Sequence, residues 1–162
     1  MFADFDIWTD GGYDIATGKG AFAYIILNEA GEEVCKHAER LLHSTNNRCE
    51  LLAIYNALRV VPMGSRVRIH SDSQYAIGVL SGEYRRNKNI DILEKYDSLV
   101  YEMDLDVHFK WVRGHSGDAL NELCDELCIE AMENGNDKEE KRKEIWIMQE
   151  MKKLPHIFDF FD

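Results

Sequence analysis

Residues 4–12, DFDIWTDGG, decide how the rest of this chain is read. Residues 4–9 alternate in character with the period of a half-buried strand, and the Gly11-Gly12 pair reads as a turn, so the strand ends on Asp10. Residues 21–27, AFAYIIL, predict a second strand; a turn over 28–31 leads to a third over 33–40. Strands joined by such short turns form an antiparallel meander.

Beyond the meander the period changes. From Asn47 to about Val61, the apolar positions Leu51, Ala53, Ile54, Ala57, Leu58 and Val61 recur at helical spacing, with Ser44, Thr45 or Asn46 as N-cap and Pro62 as stop. Glu50 sits three and four residues before Ala53 and Ile54, hence on the face that packs against the sheet. Residues 66–71 make a fourth strand ending at Asp72. A short helix follows from Ser73 to about Leu80 and is ended by Ser81-Gly82. A helix over 90–102 precedes a last strand, VHFKWV, and Asp118 caps a final helix on which Asn121, Asp125, Cys128, Ile129 and Met132 share one edge.

Four acids therefore stand in apolar or specialised contexts: Asp10 in IWTDGG, Glu50 in NNRCELLAI, Asp72 in RIHSDSQYA and Asp125 in LNELCDELC. Acids are rarely buried unless they pair or bind a cation, so four at strand ends and on inner helix faces point to metal ligands. Adding His115, in WVRGHSGDA, points to hydrolysis of a phosphodiester. That reaction needs an activated water and positive charge at the attacking and leaving oxygens, which two Mg²⁺ ions about 3.5–4 Å apart supply. Mg²⁺ prefers oxygen ligands, and four carboxylates serve two ions if one bridges. Strands ending in Asp10 and Asp72 deliver both acids to one place if they are neighbours in the sheet. His115 lies between glycine-rich steps, Gly114 and Ser116-Gly117, where an imidazole can shuttle a proton or help product leave.

The bulk numbers bound these readings. With 162 residues, 45% of them hydrophobic, the chain is one domain with a sizeable core and a short appendage. A formal charge of -11 excludes coating DNA by general electrostatics, which needs clustered Lys and Arg. Cations held by carboxylates reverse the local field, so a nucleic-acid enzyme dependent on metal stays open. Cys35, Cys49, Cys124 and Cys128 form no CxxC pair and read as small core residues in a reducing compartment rather than a zinc site. The acidic N-terminus and the lack of a membrane-length apolar run predict a cytoplasmic protein, read here as a monomer.

The stretches TDGG, TNNRCELLA, SDSQYA and WVRGHSGDALNELCDEL, in this order and spacing, resemble the type I ribonuclease H family over about residues 5–132. The resemblance implies an α/β fold of the RNase H-like kind, a five-stranded mixed sheet flanked by helices, that cuts the RNA strand of an RNA–DNA hybrid with Mg²⁺ or Mn²⁺. It implies that Asp10 bridges two ions, Glu50 and Asp72 hold the first, and Asp125 holds the second. The products would carry a 5′-phosphate and a 3′-hydroxyl, and His115 would serve proton transfer or product release.

Substrate contacts carry over residue by residue. Asn46 and Gln74 match positions that touch the minor groove, where 2′-hydroxyls identify RNA, and Asn46 is equally suited to helix capping. Gly11 and Gly12 leave room for backbone amides to approach the RNA strand. Thr45 matches a residue of a pocket that grips a DNA phosphate. Departures are visible too. The first loop, GGYDIATGKG, lacks the family's Asn-Pro-Gly-rich sequence, and His43 stands where an Arg is common. The segment SGEYRRNKNIDIL is too short for the basic helical handle of many members, leaving Arg85, Arg86 and Lys88 as its remnant and Tyr84 to pack on a sugar.

Residues 1–134 thus read as the catalytic domain and 135–162 as a charged C-terminal extension, helical from about 137 to 153. It ends in Ile157, Phe158, Asp159, Phe160 and Phe161, aromatic anchors suited either to a replication-protein partner or to docking on the chain's own domain. Two other classes share part of the pattern: a metal nuclease or strand transferase acting on DNA, which leaves SDSQY and the GH loop unexplained, and a noncatalytic hybrid binder, for which filled catalytic positions are unnecessary.

Overall fold

The computed structural model describes residues 3–114 and 116–135. The predicted extension, its helix and its aromatic end lie outside the described residues, as does His115. Five strands and four helices follow in the order β1 (Phe5–Asp14), β2 (Lys19–Asn28), β3 (Glu33–Leu42), α1 (Asn46–Leu58), β4 (Arg66–Ser71), α2 (Gln74–Ser81), α3 (Ile90–Glu102), β5 (Asp106–Trp111) and α4 (Ala119–Asn134). The sheet order is β3-β2-β1-β4-β5. The meander β1-β2-β3 is antiparallel, and β4 and β5 join it in parallel, which makes the expected five-stranded mixed sheet.

Alternation along the strands divides the side chains between two layers. On one face Ile7, Phe22, Tyr24, Ile26, Val67 and Ile69 meet Leu51, Ile54 and Leu58 of α1 in the main core. Burying each of these large side chains contributes about 2 kcal/mol. On the other face Ala21 and Ala23 receive Cys128 and Ala131 of α4 in a smaller core. Arg48 ties α1 to the start of α3 through a two-pronged contact with Asp91, at 2.9 and 2.8 Å.

Three expectations change. The first strand does not end at Asp10: it runs on to Asp14, and the turn falls at 15–18, where Gly18 has φ 70. Gly11 is glycine for proximity instead. A Cβ on Gly11 would lie 2.4 Å from the Glu50 nitrogen, whereas one on Gly12 would make ordinary contact, 3.4 Å from the Met132 methyl. The strand is thus pressed between α1 and α4. On α4, Ile129 is 48% exposed and leaves the shared edge. At about 100° per residue, positions 121, 125, 128 and 132 stay within one narrow stripe while 129 drifts to its rim. Helix α1 also stops at Leu58, three residues before Val61, which is buried without being helical.

Candidate active site

Parallel pairing of β1 and β4 sets Trp8 opposite His70, and their rings stack with centroids 3.9 Å apart. Two residues further along, Asp10 stands within β1 and Asp72 just past the end of β4. Both acids therefore lie just beyond the end of the parallel β1–β4 ladder. Glu50 comes to them from the second turn of α1, whose N-cap is Thr45, its hydroxyl accepting from the Arg48 N–H at 3.1 Å. Oxygens of Asp10, Glu50 and Asp72 lie within 4.8 Å of one another. Asp125 is outside this trio, yet it lines the same cleft of about 400 Å³ with Asp10, Glu50 and Asp72.

The cleft is electrostatically tense. Burial, with the charges of Asp72 and Asp125, pushes the Asp10 carboxyl up to about 7, against hydrogen bonds from Glu50 and the Gly11 amide. Burial and the charge of Asp10 drive Glu50 well above the usual carboxylate range. The Gly11 N–H donates to Glu50 Oε1 at 3.1 Å, while Oε2 is buried with no hydrogen-bond partner among the described residues. Crowded carboxylates with a donor-free oxygen suit a divalent cation, and an all-oxygen donor set suits Mg²⁺ or Mn²⁺. The thiols of Cys124 and Cys128 sit behind the acids on α4. Burial first, then the Asp10 charge, raises both, so they are neutral and give no thiolate ligand.

The other predicted positions separate into two groups. Asn46 and Gly12 line the cleft, and Asn46 is the first residue of α1 rather than its cap. Gly11 lines it too, but its N–H is taken by Glu50 and is not offered to a substrate, a correction to the expected role. Thr45 and Gln74 are exposed at the heads of α1 and α2, and neither lines the cleft. Of the handle remnant, Arg86 is committed to the protein, pairing with Asp97 at 2.5 Å and donating to the Val79 carbonyl at 3.1 Å. Arg85 and Lys88 are exposed. The Tyr84 ring lies over Gly78, where an added Cβ would come within 2.2 Å of it, so the ring is a half-exposed packing group rather than a free platform for sugar.

Tyr13, Asn121 and Glu122 line the cleft without having been singled out as site residues. For Asn121 the signal was present, because it stands one helical turn before Asp125 on the same stripe. Gly114 is another: a Cβ there would lie 3.3 Å from Asp72 Oδ2, so the loop after β5 presses its backbone on that carboxylate.

A mixed α/β sheet with carboxylates gathered where the pairing of its two central strands ends, beside two helices, defines a hydrolase domain built around an acidic centre. The chain belongs to the RNase H family, whose model, described as RNase H, matches residues 3–133. A ribonuclease H of Treponema denticola is 32% identical, over 78% of this chain and 95% of the relative. One of Acidiphilium cryptum is 36% identical, over 79% and 86%, and one of Bordetella pertussis is 32% identical, over 79% and 88%. Family membership makes this protein a nuclease and implies endonuclease activity on RNA–DNA hybrids. Among the described residues no helix is long and apolar enough to cross a membrane.

Proposed function

We propose that this protein hydrolyses the RNA strand of RNA–DNA hybrids with two bound Mg²⁺ or Mn²⁺ ions, leaving 5′-phosphate and 3′-hydroxyl ends. The observation that carries the reading is the convergence of Asp10, Glu50 and Asp72 within 4.8 Å, with Asp125 on the same cleft. Asp10, Glu50 and Asp72 would hold one ion, and Asp10 with Asp125 the other. When bound, such a pair lowers the pKa of a water and offsets charge on the attacking and leaving oxygens.

The chain's own groups supply position. Asp10 rides on a strand held between two helices, and the Gly11 amide fixes one oxygen of Glu50, so the acids keep their spacing without rearranging. Asn46 lines the cleft where a 2′-hydroxyl can be read, with Gly12 giving room for the RNA backbone, and Gln74, exposed at the head of α2 outside the cleft, meets the minor groove beyond it. Thr45 contacts a DNA phosphate, and His115 transfers a proton or assists product release. Residues 1–134 form the catalytic unit and 135–162 a separate extension whose Ile157, Phe158, Phe160 and Phe161 serve a partner. Four free, buried cysteines agree with a reducing, cytoplasmic setting.

The test incubates labelled RNA–DNA hybrid, duplex RNA and duplex DNA with the protein in Mg²⁺, in Mn²⁺ and in chelator, and then maps the ends. Cutting of hybrid alone, abolished by chelator and by Asp10→Asn, is expected. Cutting of duplex DNA would select a DNA nuclease instead, and binding without cutting a noncatalytic module.

A further inference from the structure

Burying a hydrogen-bond acceptor costs free energy when no donor replaces the water it loses. Two such atoms line one cleft here. Oε2 of Glu50 and Oδ1 of Asn121 are both buried without a partner, and each residue is only 4% exposed. They come from different helices, α1 and α4, so no single local distortion accounts for both. Since both atoms are acceptors, the missing group is a donor or a positive charge. The other ionisable groups lining the cleft, Asp10, Asp72, Glu122 and Asp125, are acids: Asp10 and Glu50 share a hydrogen bond, but none of these groups brings a positive charge or donates to Asn121 Oδ1. A divalent cation that keeps part of its hydration shell offers both: charge for the carboxylate and O–H donors for the carboxamide.

We infer that Asn121 is a positioning residue of this centre, its carboxamide oxygen accepting a hydrogen bond from a water carried by the bound divalent cation. The inference rests on the metal-dependent reading above. Asn121 stands four residues before Asp125 on the same stripe of α4, and its main-chain N–H donates to the capping carboxylate of Asp118 at 2.9 Å, which fixes where the side chain begins. A neutral oxygen suits the place because it accepts a hydrogen bond without adding a further charge to acids that already repel one another. Such outer partners orient what the direct ligands hold.

The test uses the full chain without substrate. Asn121→Leu keeps the approximate volume and removes the polar atoms; Asn121→Asp keeps an acceptor. Mg²⁺ affinity is measured by calorimetry, and melting temperature is recorded with and without Mg²⁺. The Leu variant is expected to melt, metal-free, no lower than the parent, because an unsatisfied oxygen is gone, and to lose about 10-fold or more in Mg²⁺ affinity. The Asp variant is expected to bind Mg²⁺ at least as tightly as the parent. Unchanged affinity in the Leu variant overturns the inference, as does an Asp variant that binds clearly more weakly than the parent; should the Leu variant not fold, the Asp variant decides. Failure of the hybrid-cleavage reading looks different: the parent would bind Mg²⁺ and leave hybrid intact.

Discussion

The main-chain N–H of Gly11 donates to Oε1 of Glu50 at 3.1 Å, across the seam where β1 meets α1. A Cβ on residue 11 would fall 2.4 Å from both the Cys49 carbonyl carbon and the Glu50 nitrogen. Strand and helix are in backbone contact beside the acids, and the hydrogen bond aims Glu50 at Asp10. Gly11→Ala must therefore separate them, since main chain cannot yield as a flexible side chain does. The expected loss is about 3 kcal/mol of unfolding free energy or more, measured by denaturant titration, with Mg²⁺ affinity reduced in whatever remains folded.

Asp10 is held at about 7 chiefly by burial and the neighbouring acids, against an ordinary value of 3.8. The folded state therefore binds this proton more tightly than the unfolded chain does. Its contribution to stability is full below about pH 4 and is lost as pH rises through about 7. Metal-free protein should thus fall in melting temperature across that window. Saturating Mg²⁺ should flatten the fall by stabilising the ionised form, and a slope that persists unchanged in Mg²⁺ would show that the cation does not sit on Asp10.

Asp10→Asn removes one charge from the crowded trio while keeping the shape of the side chain. Without metal the variant should be more stable at pH 8 by about 1 kcal/mol or more, since a raised pKa is worth about 1.4 kcal/mol per unit. It should lose hybrid cleavage altogether. Greater stability together with lost activity separates a site strained for function from a residue that simply supports the fold.

Asp125 lines the cleft but stands outside the 4.8 Å trio. Asp125→Asn should leave one cation bound at the trio, seen as reduced stoichiometry in calorimetry, and should lower turnover by about 100-fold. Retention of two ions would remove the proposed assignment of the second.

Arg86 is tied to Asp97 and to the Val79 carbonyl, whereas Arg85 and Lys88 are exposed. Replacing Arg85 and Lys88 together with Ala should reduce the salt slope of hybrid binding by no more than about 2, given roughly one unit per phosphate contact. Arg86→Ala should lower stability by about 1 kcal/mol and leave that slope alone.

Much of this was legible along the chain. The existence and type of the strands and helices, the Thr45 and Asp118 caps and the Gly82 stop are local signals, and they fall where local rules put them. The buried face of Glu50 followed from its spacing to Ala53 and Ile54. Gly11 misled because a glycine needed for close packing looks the same in sequence as one needed for a turn. Ile129 misled because five positions were assigned to a stripe that holds four.

Which residues carry charge, which faces are apolar and which motifs mark the family were determined by the sequence alone, because these are properties of side chains and their spacing. That Asp10, Glu50 and Asp72 share one centre, that Gly11 spends its amide on Glu50 and that Arg86 is already paired was decided by the tertiary structure. The parallel register of β1 on β4 joins positions 62 residues apart and the contact of β1 with α1 positions 39 apart, and no local pattern encodes the distances between them.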